Sequence, residues 1–299
     1  MITVVGAGLA GTLLALELAD RGQAVTLLDS GSAETATALS YGLMPATAAR
    51  GWRRLQRRHG DLGLGRRWLQ LGPRRLPVPG LQIDPQRFAL LVGAALEQAG
   101  IRQRRQTLLG PSDLELLRQQ GTVVLACGAG CRRLAPQIDP KLRSSWAGIV
   151  EVNDRTQAPG LCRWPGLALL PQGFSRLKLE QGAANLEQPS WIVDAALVPC
   201  GGRLLVGQIT LVRPGLEAGV PPDPTEMEQR LRQGLSQRWP ELARVRGRFR
   251  QAAVSFCSDG VALAGPVEPG LWVLAGFSGA FAQLPAAAAQ LAATLSSEN

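Results

Sequence analysis

The sequence is poor in the side chains that most often carry proton transfer and metal binding. His59 is the only histidine and Tyr41 the only tyrosine among the 299 residues. A histidine triad or a histidine-rich metal site would have to use His59, which lies beside four arginines within residues 53–58. We therefore expect no metal site, and a reaction that needs little acid–base help from the protein.

Cysteines are few and scattered, and long apolar runs are missing. The five cysteines are Cys127, Cys131, Cys162, Cys200 and Cys257. No two of them form a Cys-x-x-Cys motif, which argues against a disulfide framework and against a structural zinc site.

The most apolar segment, residues 4–19, contains three glycines and begins too close to Met1 for a signal peptide. We expect a soluble, cytoplasmic protein.

Lysine is also scarce, although the chain is basic. Only Lys141 and Lys178 are lysines among the 32 basic residues, which leaves 30 arginines, and the formal net charge is +9. Such a chain attracts acidic ligands or nucleic acid, but a GC-rich genome alone also favours arginine over lysine. Four arginines alternate with other residues between positions 244 and 250. We predict a solvated strand face there, with a surface for an anionic substrate as the alternative.

The first thirty residues have the pattern of a βαβ unit. A β-branched run at residues 2–5 precedes the glycine-rich segment 6–11, which reads GAGLAG. Good helix formers then occupy residues 12–21, and a second strand-like run at 24–28 ends at Asp29. Strand, glycine turn, helix, strand and acid follow one another in the order that a dinucleotide-binding unit requires.

Each glycine of this turn has a distinct predicted role. Gly6 permits the tight turn, Gly8 lets the backbone approach a pyrophosphate, and Gly11 lets the helix pack closely on the strand. The N–H groups at the helix start would bind the phosphates. Asp29 is placed to accept hydrogen bonds from a ribose hydroxyl, and its charge disfavours the extra phosphate of NADP.

Two more glycine turns follow predicted strands further along the chain. The strand-like run 122–126 leads into Cys127-Gly128-Ala129-Gly130, and the run 271–275 leads into Gly276-Phe277-Ser278-Gly279. Pro285 then begins an alanine-rich run that predicts a helix from this proline to residue 295. The last turn can therefore hold the electron-rich end of a flavin, where negative charge grows on reduction.

Taken in order, these segments resemble the D-amino-acid oxidase superfamily of FAD-dependent oxidoreductases, in particular its glycine oxidase and sarcosine oxidase group. The matching segments are VVGAGLAGTLLALELADRGQAVTLLDSG, SYGLMP at residues 40–45, IDPQRFALLVGAALEQAGI, TVVLACGAG, LVPCGGRLLVGQ at residues 197–208, SDGVALAGP, and LWVLAGFSGAFAQLPAAA. The likeness spans nearly the whole chain. It implies FAD as cofactor, a substrate sheet over the flavin, and oxidation of a C–N bond.

The fold implied by the resemblance is α/β. A Rossmann-type FAD-binding domain would be joined to a smaller antiparallel-sheet α+β substrate domain. We expect the FAD-binding domain to comprise residues 1–48, 83–149 and 252–299, and the substrate domain to comprise residues 49–82 and 150–251.

The substrate domain is predicted to be mostly strands with one helix. The strand-like segments are residues 167–170, 177–179, 192–198 and 203–211. Helical spacing of Met227, Leu231 and Leu235 predicts a helix that ends before Pro240.

The family motifs also assign candidate site residues. Those expected to bind the cofactor are Gly6, Gly8, Leu9, Ala10, Gly11, Asp29, Ser40, Tyr41, Gly42, Cys127, Gly128, Ala129, Asp259, Gly260, Gly276, Phe277, Ser278, Gly279 and Ala280. Candidate residues of the substrate pocket are Tyr41, Arg203 and Gln208. We expect non-covalent FAD, because Ala252 lies about where sarcosine oxidases carry the cysteine that bonds the flavin; Cys257 is the nearest thiol.

One departure from the family pattern concerns the substrate. Members that take free amino acids often hold the carboxylate with an arginine just upstream of the C-terminal Asp-Gly, which here is Asp259-Gly260. Val254 stands at that position. A replacement would have to come from elsewhere, with Arg203, Arg163 and Arg250 as the open alternatives.

The function expected from these features is FAD-dependent oxidation of a C–N bond in a small amine or amino acid, by hydride transfer to the flavin. A first alternative is a tRNA-modifying flavoprotein that acts on an amine attached to RNA, which the arginine excess and the missing arginine would fit. A second is a flavin-binding protein without catalysis. A small amine is thus the expected partner, and nucleic acid is a less favoured one.

Overall fold

The computed structural model describes residues 1–72, 76–153 and 166–298. Within them the strands are β1 (Ile2–Val5), β2 (Val25–Asp29), β3 (Leu43–Pro45), β4 (Leu64–Leu71), β5 (Val78–Ile83), β6 (Arg102–Arg105), β7 (Thr122–Leu125), β8 (Leu142–Val152), β9 (Leu167–Leu170), β10 (Ser190–Cys200), β11 (Arg203–Val212), β12 (Arg248–Cys257), β13 (Leu263–Glu268) and β14 (Leu271–Ala275). The α-helices are α1 (Leu9–Ala19), α2 (Ala49–His59), α3 (Pro85–Gln98), α4 (Pro111–Arg118), α5 (Cys131–Leu134), α6 (Ser175–Gln181), α7 (Pro224–Arg238), α8 (Pro240–Ala243) and α9 (Ala280–Glu298). None of these helices is long and apolar enough to cross a bilayer.

The first sheet has the strand order β13-β14-β7-β1-β2-β6 and is parallel except for the β13–β14 hairpin. Its central strands β1, β7 and β14 are almost continuous runs of buried apolar residues, as expected where helices cover both faces. Parallel strands have their carboxyl ends at one edge of the sheet. The three predicted glycine turns, which follow these three strands, therefore lie at the same edge.

The second sheet has the order β12-β8-β11-β10-β9-β4-β5-β3 and is antiparallel except between β4 and β9. One face is covered by α7, whose Met227, Leu231 and Leu235 are fully buried against it. An apolar cluster on this sheet includes Val198 and Leu205, with Tyr41 packed against it. The α/β fold with a parallel and an antiparallel sheet is confirmed. The limits of the two domains stay a prediction.

Most strands lie where the sequence predicts them, but three segments differ. Residues 177–179 are helical within α6, not a strand, because Asp194 Oδ1 and Oδ2 accept the N–H groups of Ser175 and Arg176 and so cap the first turn. In the arginine-rich segment, β12 begins only at Arg248, since α8 extends to residue 243. The prediction of four arginines on one strand face is therefore wrong.

The third difference is helix α9, which begins five residues before Pro285, at Ala280. A proline inside a helix has no N–H to donate to the carbonyl four residues earlier, here that of Phe281. Trp52 of α2 supplies the missing donor, because its Nε1–H donates to the Phe281 carbonyl at 2.7 Å. The proline is tolerated because a side chain from another helix takes over its hydrogen bond.

This bond belongs to a close contact between α2 and α9. A Cβ added at Gly51 would lie 2.6 Å from Cβ of Pro285, so the glycine allows the helices to approach. The Trp52 ring stacks on Phe281 and meets Phe88 edge-on. Helix α2 thus packs against helices of the first sheet, although the predicted limits assign its residues to the substrate domain.

We expect Trp52→Phe to lower the free energy of unfolding by about 1–3 kcal/mol beyond its loss of packing, because the buried Phe281 carbonyl loses its donor. In a Pro285→Ala background this extra cost should largely disappear, since the alanine at this position donates its own backbone N–H to that carbonyl. Urea unfolding of the two single variants and the double variant measures the coupling.

Trp146→Phe is the matched control, because Trp146 Nε1 also donates to a backbone carbonyl, that of Ala218, but far from Pro285. Its cost should be the same in both backgrounds. Additive costs for Trp52→Phe and Pro285→Ala would contradict the account.

Candidate cofactor and active site

The first glycine turn is built by close backbone contacts at two of its three glycines. Gly6 has φ +108°, and a Cβ there would lie 2.6 Å from Cα of Cys127. A Cβ at Gly11 would overlap the carbonyl oxygen of Gly6. At Gly8 the nearest neighbour would be Thr37 Oγ1 at 3.5 Å, an ordinary contact. Gly6 and Gly11 are therefore required by the fold, while Gly8 leaves a surface that a ligand can approach.

The start of α1 presents N–H groups without helical acceptors. Gly8 is the N-cap and has no side chain to accept them, and the first turn has no acidic residue. The Leu9 N–H donates to Thr37 Oγ1 at 3.1 Å, whereas Ala10 and Gly11 lie one and two residues further into the first turn. Thr37 was missed by the sequence analysis, because no local motif connects it to the glycine turn. The arrangement offers positive potential to an anion.

Asp29 is the last residue of β2, and the segment Ser40–Gly42 lies in the loop that follows this strand. Asp29 is exposed, and its Oδ1 accepts the Gly31 N–H at 3.0 Å. Ser40 Oγ accepts the Gly42 N–H at 3.1 Å, and the Tyr41 carbonyl accepts a hydrogen bond from Gln82 Nε2. These bonds hold the backbone on both sides of Tyr41.

The second and third glycine turns lie on either side of one strand residue, Ser255 of β12. Its Oγ accepts the N–H of Gly276 at 3.4 Å, and it would be the nearest neighbour, at 3.7 Å, of a Cβ added at Gly128. Gly128 and Gly276 both have positive φ, +58° and +84°. Ser255 is a second residue that sequence reasoning did not assign. Ala129 follows Gly128 in a short 3₁₀ turn, Gly128–Gly130.

Asp259 and Gly260 form the turn between β12 and β13. The Asp259 carboxylate accepts the N–H of Val261 at 2.8 Å and pairs with Lys141 at 3.1 Å. These two interactions, the backbone N–H first, lower the pKa of Asp259. Gly260 has φ +76°, which the turn requires. The contacts of this pair shape the chain reversal, and a direct cofactor contact by either residue stays a prediction.

The third glycine turn contacts helix α6 through Ser278. Its Oγ donates to Glu180 Oε2 at 3.2 Å, and its carbonyl accepts a hydrogen bond from Arg176 Nη2 at 3.2 Å. Phe277 packs against the core of the first sheet. Gly279 ends the turn, and its carbonyl accepts the N–H groups of residues 282 and 283, so that α9 begins at Ala280. The predicted flavin turn is thus in direct contact with α6.

The three candidate pocket residues are not all in one place. Arg203 is only 4% exposed and pairs with Glu151 at 2.8 Å, with Asp84 at 4.0 Å on its other side. Gln208 is half-buried at the bulge where the pairing of β11 with β8 shifts. Tyr41 packs against the apolar cluster of the second sheet, and the charges of Asp194 and Arg176 act in opposite directions on the pKa of its buried hydroxyl. Sequence reasoning missed both of these residues.

The arginines considered as replacements for the one missing at position 254 have carboxylate partners wherever the structure describes them. Arg250 pairs with Glu34 and Glu151 at 3.1 and 3.0 Å, and Arg203 shares Glu151 with it. Both guanidinium groups therefore have carboxylate partners already. Arg163, like Cys162, lies outside the described residues.

Comparison with known protein families shows to which family the chain belongs. The model for FAD dependent oxidoreductases, DAO, matches residues 42–295, and a model for an FAD binding domain matches residues 2–53. The chain belongs to the family of FAD-dependent oxidoreductases. Its cofactor is FAD, as the sequence predicts. A search of curated proteins found no match to this oxidoreductase.

Solved structures with the same fold cover the whole chain at low identity. Glycine oxidase from Geobacillus kaustophilus is 17% identical with a TM-score of 0.67, and the match covers 100% of this chain and 94% of that one. Iminodiacetate oxidase from Chelativorans sp. BNC1 is 15% identical with a TM-score of 0.65, covering 100% and 96%. L-amino acid deaminase from Proteus myxofaciens, solved in complex with anthranilate, is 14% identical with a TM-score of 0.65, covering 100% and 90%. At these identities the likeness establishes the fold.

We expect Gly8→Ala to weaken FAD binding by about tenfold or more, because a methyl group would occupy the surface that approaches the pyrophosphate. The apoprotein should keep its stability, since the new Cβ has only one neighbour, at ordinary contact distance. Gly93→Ala in α3 is the control, because a Cβ there meets nothing within 4 Å. Fluorescence titration of the apoproteins with FAD measures both affinities; equal affinities would contradict the assigned role.

We also expect the FAD to be released when the holoprotein is denatured in acid. Ala252, where the resemblance would place the bonding cysteine, carries no nucleophile. The Cys257 thiol is 1% exposed, and burial raises its pKa to about 11, so it is not the thiolate that covalent attachment needs. The flavin should appear in the supernatant after precipitation of the wild type and of Cys257→Ala alike. Flavin retained in the wild-type pellet would contradict this expectation.

Proposed function

We propose that this FAD-dependent oxidoreductase oxidises a C–N bond of a small amine or amino acid, by hydride transfer to the flavin. The observation that supports it is the polar contact between α6 and the third glycine turn. Arg176 and Glu180 bond to Ser278 beside an otherwise apolar face of the second sheet. A small, charged substrate is the ligand that such a place at the predicted flavin edge would accept.

The described residues offer binding groups for each part of FAD. The N-terminus of α1 would bind the pyrophosphate over the open surface of Gly8, and Asp29 would bind the ribose. The turns around Gly128 and Ser278 would hold the flavin end, and Ser255 lies between them. When bound, FAD supplies the two-electron acceptor for a hydride from the carbon that carries nitrogen.

The protein's own part in this reaction is binding and orientation rather than proton transfer. His59 is the last residue of α2, and its Nε2 lies 3.2 Å from Oδ2 of Asp20, which directly follows α1. It therefore takes part in a contact between these two helices and is not one of the candidate site residues. Burial raises the pKa of Tyr41 far above its usual value. Tyr41 therefore remains a neutral phenol, which is able to donate a hydrogen bond to a ligand and does not act as a base. A neutral amine that loses hydride needs no protein base.

The relatives in structure support an amine substrate over an alcohol. Glycine oxidase, iminodiacetate oxidase and L-amino acid deaminase are all named for substrates with nitrogen. A glycerol-3-phosphate dehydrogenase from Bacillus halodurans, complexed with FAD, also matches, with a TM-score of 0.65, but the match covers only 64% of that chain. Oxidation of an alcohol is thus the competing reaction class.

Anaerobic mixing of the holoprotein with candidate substrates separates these reactions. The panel contains glycine, sarcosine, iminodiacetate, D- and L-amino acids, simple amines and sn-glycerol 3-phosphate. We expect at least one amine or amino acid to bleach the visible flavin absorbance and to yield the corresponding imine or its hydrolysis product. Bleaching by glycerol 3-phosphate alone, or by dithionite alone, would overturn the proposal.

A further inference from the structure

Five polar side chains lie where α6 contacts β10 and the third glycine turn, and two of them have buried donors without a hydrogen-bond partner among the described residues. We call them the α6 cluster: Tyr41, Arg176, Glu180, Asp194 and Ser278. Glu180 and Asp194 are 2% and 4% exposed. Buried polar groups are costly unless they are paired, so the unpaired atoms of the cluster indicate what it can bind.

Asp194 is already paired. Its two carboxylate oxygens accept the N–H groups of Ser175 and Arg176 at 2.9 and 3.0 Å. It caps the first turn of α6, and the backbone stabilises its charge. Asp194 therefore positions α6 and does not act as the hydrogen-bond partner of the Arg176 guanidinium.

Arg176 keeps part of its guanidinium unused. Its Nη2 donates to the Ser278 carbonyl, which fixes the plane of the group beside the third glycine turn. Its Nε is buried and has no hydrogen-bond partner among the described residues; Glu180 Oε1 lies 3.9 Å away, beyond hydrogen-bonding distance. A guanidinium held in place with a free buried donor is suited to a planar acceptor with two oxygens.

Tyr41 provides a second unused donor in the same cluster. Its hydroxyl is buried and likewise has no hydrogen-bond partner in the described part of the chain. Its ring packs against an apolar cluster that contains Ala196 and Val198 of β10, as does Phe174, which directly precedes α6. One acceptor that enters between Tyr41 and Arg176 would satisfy both free donors.

Glu180 determines whether that acceptor can be an anion. Burial raises its pKa, with Arg176 and Ser278 acting in the opposite direction and Asp194 adding to the rise. In its neutral form Glu180 leaves the positive charge of Arg176 without a competing carboxylate. In its ionised form it attracts Arg176 and repels a second anion.

We propose that Arg176 and Tyr41 bind the carboxylate of the substrate, beside Ser278 of the third glycine turn. This inference rests on the proposed function and narrows its substrate class to amines that carry a carboxylate, such as amino acids. It also gives the chain a carboxylate ligand from α6, although Val254 stands where the sequence pattern would have an arginine. Arg250 is paired with Glu34 and Glu151. Arg203 also has buried donors without a hydrogen-bond partner, but the carboxylates of Glu151 and Asp84 lie at 2.8 and 4.0 Å from it and would repel a second anion.

Anthranilate, an aromatic carboxylate, tests the site by perturbing the visible spectrum of the bound flavin. We expect Arg176→Lys to weaken anthranilate binding by about 30-fold and Tyr41→Phe by about fivefold, since each loses a hydrogen bond to a charged group. Aniline, which lacks the carboxylate, should bind all variants equally. Arg213→Lys is the control, because Arg213 also donates to backbone carbonyls, those of Ala218 and Val220, away from the α6 cluster.

The pH dependence provides a readout that a merely structural role would not change. Anthranilate affinity of the wild type should fall as pH rises through the raised pKa of Glu180, because the ionised carboxylate then competes for Arg176. In Glu180→Gln this decline should be absent, since the amide stays neutral at every pH. The groups that face Glu180 are Arg176 on its own helix, Asp194 on β10 and Ser278.

The two proposals fail in different ways. If amines and amino acids reduce the flavin but Arg176→Lys binds anthranilate like the wild type, the carboxylate site is wrong and the proposed function stands. If no amine or amino acid reduces the flavin, the proposed function fails, while the anthranilate titration still reports on Arg176. Equal losses of anthranilate and aniline in Arg176→Lys would also overturn the carboxylate site, since the side chain would then be shaping the pocket only.

Discussion

The close approach of three backbone segments at Gly6 is the constraint on which the site depends. Gly11 lies against the Gly6 carbonyl, and Cys127 lies against Gly6 itself, so any side chain at either glycine would separate the elements. Because of these contacts, α1 begins directly at the end of β1, and the turn after β7 lies beside it. The N–H groups of α1 and the second glycine turn therefore face the same edge of the first sheet.

Features that depend on neighbours in sequence could be predicted, and those that depend on distant partners could not. The spacing of Gly6, Gly8 and Gly11 and the apolar runs of β1 and β14 are local, and they identify the fold. The start of α9 depends on Trp52, whose indole donates to a carbonyl 229 residues away. Helix α6 depends on Asp194, which caps it from another strand. A proline and a short leucine-rich run cannot reveal such partners.

Charge is subject to the same limit, because the number of arginines does not show which of them can bind an anion. Glu17 is fully buried in α1 and pairs with Arg21, Arg54 and Arg58, which join α1 to α2. Elsewhere two arginines share Glu151. Composition counts all of these as positive charge that could attract an anion, but in the fold each of them already has a carboxylate partner. Arg176 differs because its unpaired buried donor lies beside the third glycine turn, and such a position can be recognised only in three dimensions.

The buried Nε–H group of Arg176 has no hydrogen-bond acceptor among the described residues. A buried N–H without an acceptor destabilises the folded protein by about 1–3 kcal/mol, and a ligand that satisfies it recovers that energy on binding. The Ser278 carbonyl orients Arg176 from one side, and the Ser278 hydroxyl bonds to Glu180 on the same helix. The proposed carboxylate site and the turn proposed to hold the flavin are thereby joined through Ser278. Movement of α6 would displace both, so in the proposed site the orientation of the substrate carbon toward the flavin would depend on the stability of one short helix capped by Asp194.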